Sequence, residues 1–105
     1  MPETGHEKGV SMQAETAETV RQLLVQELFV EVPADKIALD DGLQSEVGLD
    51  SVAFIELRVL CEERFDIEIA DEDFRPENFS SVRRIAELIQ RLQNEKHGAA
   101  GYAQS

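Results

Sequence analysis

A short stretch near the middle of the chain, Gly48-Leu49-Asp50-Ser51-Val52, holds the residues best placed to do chemistry. It follows a loop-like segment and leads directly into a strongly apolar helical pattern, so Ser51 falls in the first turn of a helix. Backbone N–H groups there have no intrahelical acceptor, and the positive end of the helix dipole faces outward. A hydroxyl so placed suits the carriage of a phosphate, because an anion is stabilised at a helix N-terminus. The plainer reading of an Asp-Ser pair is an N-cap, worth about 1 kcal/mol. No catalytic set accompanies the serine. Both histidines, His6 and His97, lie near the ends, so a Ser-His-Asp triad lacks its base. Neither Asp35–Glu46 nor Asp66–Glu77 makes a calcium loop: the first has Leu39 and Asp40 where an acid and a glycine belong, and the second has no glycine. No metal site is expected.

The wider run Gly48-Leu49-Asp50-Ser51-Val52-Ala53-Phe54-Ile55-Glu56-Leu57-Arg58 resembles the attachment motif of acyl carrier proteins, (L)GxDSLxxxEL. Glu56 and Leu57 stand where the motif has its Glu-Leu pair, and Val52 replaces the usual Leu with another apolar group. Phe65 to Asp73 is similar to the segment that follows the motif helix in that family, so the resemblance spans about Ala14 to Asn94. It implies a 4′-phosphopantetheine arm on Ser51, beside Asp50, and a carrier of acyl groups as thioesters that is not itself an enzyme. It also implies a phosphopantetheinyl transferase as partner, installing the arm from coenzyme A with magnesium at its own site, together with enzymes that load and process the acyl group. Arg58 directly after Glu-Leu is reminiscent of polyketide carrier domains, whereas the acidic Phe65 to Asp73 segment looks more like freestanding fatty-acid carriers. Asp50 argues against the peptidyl branch, which has Gly-Gly-x-Ser-Leu. A freestanding carrier of polyketide or related specialised biosynthesis is the expectation, with fatty-acid synthesis as the alternative. A different class stays open too: an acidic helical interaction module in which Ser51 is only a cap.

The elements that must hold this stretch can be read from apolar spacing. At 105 residues there is room for one domain. Ala17, Val20, Leu23, Leu24 and Leu28 give a first helix one apolar stripe from about Ala14 to Val30, with Pro33 as its stop. A long connection from Glu31 to Leu49 carries Ile37, Leu39, Leu43, Val47 and Leu49 as anchors to the core. The second helix runs from Asp50 or Ser51 to about Phe65, with Phe54, Leu57, Cys61 and Phe65 facing inward. Asp66-Ile67-Glu68-Ile69 alternates like a strand, but four residues without a partner make no sheet. A short helical turn at Asp71 to Phe74, closed by Pro76, precedes a last helix from Ser80 to Asn94. The expected fold is all-α: a small four-helix bundle of three longer helices and one short one, with a long first loop. Residues 14–95 form the domain, between disordered tails at 1–13 and 96–105.

Charge and surface pattern point to protein partners. The chain has 22 acidic against 10 basic residues, a formal charge of −12. Eleven acids against Arg58, Arg64 and Arg75 place −8 of this between Glu46 and Glu77. That balance repels nucleic acid and anionic membranes and favours basic docking patches. Val52, Ile55 and Val59 form a second apolar line on the second helix, interleaved with Glu56, Glu62 and Glu63. The line either completes the core or forms the apolar centre of an acidic docking face. The single Cys61 excludes an internal disulfide and reads as a small buried hydrophobe. With no membrane span and no signal peptide, the expectation is a cytoplasmic monomer.

Overall fold

The spacing of Ala17, Val20, Leu23 and Leu24 winds the first described segment into a helix, α1 (residues 14–22), which together with the turn that continues it buries all four residues against the core. The computed structural model describes the backbone of residues 14–104 and the side chains of 14–96; the tail expected at 1–13 lies outside the described residues. From Leu23 to Glu27 the helix widens to a π turn. It closes there, not at Val30. The Leu28 N–H donates to Leu23 O at 3.1 Å and the Val30 N–H to Leu24 O at 3.1 Å, an ending of the Schellman kind widened by one residue. Between these bonds Phe29 takes φ 57° and is 77% exposed. Left-handed backbone at Phe29, four residues before Pro33, ends the helix without the proline.

The connection that follows is long but not structureless. It contains a 3-10 turn, Ala34–Lys36, and a π turn, Leu43–Val47. Ile37, Leu43 and Leu49 are buried, and Leu39 and Val47 pack partly against the core. Besides its internal turns, three of its backbone polar groups find partners outside the loop. Leu43 N–H donates to Ser80 O at 2.9 Å, Arg21 Nε to Ile37 O at 2.7 Å, and Arg83 N–H to Leu39 O at 2.9 Å. Arg83 also holds both carboxylate oxygens of Asp40, at 2.7 and 3.2 Å.

The second helix, α2 (Ser51–Phe65), buries Leu57 and Cys61 completely and packs on the last helix and on the wide turn of α1. Phe54 and Phe65, on the same inward stripe, are partly buried and pack against the core. Asp66 ends α2 at φ 55°, a left-handed position that Asp tolerates better than most residues. The stretch that alternates like a strand follows as an extended segment, with Ile67 and Ile69 buried. It finds its hydrogen-bond partners on α2: Arg58 Nη2 donates to the Ile69 carbonyl, and the Ile69 N–H donates to Glu62 Oε2 at 2.8 Å. Two side chains one helical turn apart thus take the place of a neighbouring strand.

The short helix lies later than its sequence suggests. Ala70 to Phe74 forms only a turn, and the one-turn 3-10 helix is Pro76–Phe79, with Pro76 opening it. The missing N–H and preset φ of proline suit a first helical position as well as a stop. The last helix, α3 (Val82–Gln104), is capped by Ser81, whose Oγ accepts from Arg84 N–H at 3.2 Å. It buries Val82, Ile85, Ala86, Leu88, Ile89 and Leu92. Gln90 Nε2 donates to Thr16 Oγ1 at 2.9 Å, tying α3 to α1. An end near Asn94 was expected; the α3 backbone continues through most of the stretch read as a C-terminal tail, with no proline to stop it and with Ala99, Ala100 and Ala103 as strong helix formers. Lys96, at the edge of that stretch, donates from Nζ to the Asp66 carbonyl at 2.6 Å and to its carboxylate at 2.8 Å, a cation at the negative end of α2. The architecture is the expected small all-α bundle.

Candidate functional site

Gly48 prepares the entry to α2. It has φ 93° and ψ 24°, where a side chain is strained, and it closes the π turn as Leu49 N–H reaches back to Leu43 O at 2.9 Å. The chain then swings out so that Asp50 becomes the N-cap. Asp50 Oδ1 accepts from Ala53 N–H at 2.8 Å, and the Asp50 carbonyl accepts from Phe54 N–H at 3.0 Å. Capping therefore falls to Asp50 and leaves Ser51 free of it. Ser51 is exposed in the first turn, and among the described residues its hydroxyl has no hydrogen-bond partner. The amides of Ser51 and Val52 are likewise left over. An exposed hydroxyl, two free N–H donors and the positive helix end fit an esterified phosphate at this position.

Side chains along α2 divide by angle. Each residue turns the helix by about 100°, so Val52, Glu56, Val59 and Glu63 fall within about 60° of one another, opposite Leu57 and Cys61, with Ile55 alongside. The structure resolves the second apolar line outward: Val52 is 71%, Ile55 56% and Val59 44% exposed. Glu56 and Glu63 are exposed on the same side. Glu62 departs from that set. It is half-buried, and its carboxylate is committed to the Ile69 N–H. Arg58 is committed as well, pairing with Asp71 at 3.0 Å and lying 5.0 Å over the Phe74 ring besides its bond to Ile69.

Ser51 also stands on the rim of a cleft of about 560 Å³. Leu43, Phe54, Ile55, Phe74 and Phe79 give it an apolar lining, the two last rings meeting edge to face at 5.1 Å. Gln44, Ser45, Ser80 and Arg75 add polar groups. Sequence reading did not find this cleft, since its walls come from three separated segments with no common spacing. The tight approach of Ser45 Oγ to Gly42, where a Cβ would stand 2.5 Å away, was equally invisible. Cys61 behaves as expected: burial pushes its thiol up to about 12, so it stays protonated and inert. Among the described residues no group of three or more His, Cys, Asp or Glu side chains is arranged to hold a metal ion, and no helix is long and apolar enough to cross a membrane.

The family model described as a phosphopantetheine attachment site matches residues 18–89. An acyl carrier protein of Akkermansia muciniphila is 37% identical over 76 residues, covering 72% of this chain and 90% of the relative. One of Bdellovibrio bacteriovorus is 32% identical, covering 69% and 87%. Another, of Campylobacter hominis, is 32% identical over 82 residues, 78% of this chain and 99% of the relative.

Proposed function

The chain belongs to the acyl carrier protein family, and from that premise we propose that Ser51 is the residue that bears its 4′-phosphopantetheine. The protein is a carrier and not a catalyst; the prosthetic group, when attached, supplies the thiol that holds acyl groups as thioesters. The observation that carries the assignment is the division of labour at the head of α2. Asp50 takes the cap, and the neighbouring hydroxyl is left exposed and unengaged. The amides of Ser51 and Val52 would hold the phosphodiester, while the cleft beside them offers cover to whatever the arm carries. Incubation with coenzyme A and a broad-specificity phosphopantetheinyl transferase should raise the intact mass of the native protein by one arm and leave Ser51→Ala unchanged. Labelling that persists in Ser51→Ala would refute the assignment. An absence of any gain in either protein would leave the acidic interaction module as the better reading.

The outward face of α2 is the docking surface in this proposal: Val52, Ile55 and Val59 at its centre, Glu56 and Glu63 beside them, and Asp50 next to the anchor. Its partners are the transferase and the enzymes that load and process the acyl group, approaching with basic patches. Exposed charges act on encounter more than on final affinity. Glu56→Lys should therefore slow arm transfer, and raising salt from about 0.05 to 0.5 M should slow the native protein more than the variant. Polyketide or related specialised biosynthesis, in the cytoplasm and with the carrier as a monomer, is the setting proposed, resting on the likeness of Glu56-Leu57-Arg58 to polyketide carrier domains. The mass of the acyl group on protein purified from its source tests that setting, a saturated fatty acyl series favouring fatty-acid synthesis.

A further inference from the structure

Arg75 is the one charged side chain in the lining of the cleft beside Ser51. It is exposed, and among the described residues its guanidinium has neither an ion pair nor a hydrogen bond. Among the described residues most cations are already engaged: Arg21, Arg58, Arg83, Arg84, Arg91 and Lys96 all pair with acids. The backbone beneath Arg75 is held in place. Its extended φ of −118° and ψ of 152° suit a residue before proline, and its carbonyl accepts from Asn78 N–H at 3.0 Å. Asn78 Nδ2 also donates to Asp73 O at 2.9 Å, which fixes the segment on its other side.

An apolar cleft with one unpaired cation matches a ligand of one shape: a short apolar chain ending in an anion. The rest of the surface disfavours such a ligand, since the chain carries −12 overall. We propose that Arg75 is a specificity-determining residue that binds the terminal carboxylate of a dicarboxylic acyl group carried on the Ser51-linked arm. This rests on Ser51 as the attachment site and adds a cargo class to it. The chain would lie against Phe74 and Phe79 while its carboxylate meets the guanidinium at the rim. The same cation would also attract the phosphodiester of the arm, so the test separates the two anions.

Three forms of the protein are prepared and verified by intact mass: the arm alone, the arm with a butyryl group and the arm with a succinyl group. Failure to load Ser51 at that stage would count against the attachment site, before Arg75 is examined. With loading confirmed, the Arg75 Nε–Hε resonance is followed by NMR. It should shift in the succinyl form alone, while the amides of Phe74 and Phe79 shift in both acyl forms. The carboxyl of 13C-labelled succinyl should titrate roughly 0.2–0.7 unit lower in the native protein than in Arg75→Gln, the size of an exposed ion pair. Arg75→Lys, which keeps the charge, should retain part of that difference. An Arg75 shift already present with the arm alone would assign the residue to the phosphodiester and overturn the proposal. Equal titration in native protein and Arg75→Gln would overturn it as well.

Discussion

Glu62 and Glu56 lie six residues apart on α2, both acidic and both within the segment that concentrates the charge, yet the structure gives them different duties. Glu56 is exposed, whereas Glu62 accepts the Ile69 N–H at 2.8 Å and holds an otherwise unpaired extended segment against the helix. A hydrogen bond with one charged partner contributes about 1.5–3 kcal/mol, and the half-buried setting favours the lower part of that range. In Glu62→Lys the acceptor is lost, and a second cation sits one turn from Arg58, at a further cost of about 0.2–0.5 kcal/mol. The expected loss is about 2 kcal/mol. For a domain of this size each kcal/mol lowers the melting temperature by about 4–8 °C, so a fall of roughly 8–16 °C is expected. Glu56→Lys should stay within about 0.5 kcal/mol of the native protein. Urea unfolding followed by far-UV circular dichroism measures both, and Glu62→Gln, which keeps an oxygen acceptor without the charge, should fall between. Equal urea midpoints for Glu56→Lys and Glu62→Lys would refute the reasoning, and would return Glu62 to the docking face as a free surface charge.

Other perturbations test separate parts of the fold. Gly48→Ala should lose about 1 kcal/mol of stability, because left-handed backbone costs a Cβ residue about 1–2 kcal/mol and reduced freedom in the unfolded chain returns part of it. A Cβ at Gly48 meets nothing within 4 Å, so an unchanged melting temperature would mean that the backbone there is not held as described. Hydrogen bonds from Arg83 and Lys96 hold the Asp40 and Asp66 carboxyls below their ordinary value of 3.8. Their contribution is present above pH 3.8 and is lost as pH falls through the lowered values. The stability gap between native protein and Asp66→Asn should accordingly close on acidification, and a gap that persists at pH 2 would contradict the pairing. Cys61, with its thiol up at about 12, should react with a thiol reagent at neutral pH only as fast as the domain opens, so a rapid reaction in native buffer would show that it is accessible.

Local patterns sufficed to locate much of this protein. Apolar spacing marks the buried stripes of α1, α2 and α3, and five scattered apolar residues are enough to show that the long loop is pinned to the core. Glycine, an acid and a serine ahead of an apolar run define the head of α2, since capping and left-handed turns depend on residues a few positions apart. Whatever depends on a neighbour distant in the chain had to await the fold. The sequence left Val59 between core and surface, because helical phase shows two apolar lines without saying which side the other helices cover. Arg58 and Glu62 read as surface charges until the chain doubles back and sets both polar groups of Ile69 against them. Pro76 read as a stop after Asp71 to Phe74, whereas the fold uses it to open the 3-10 turn Pro76–Phe79. The cleft is the clearest case. Gly42, Ser51 and Arg75 share no period, and only the packing of three segments brings a free cation and an exposed hydroxyl to the same rim.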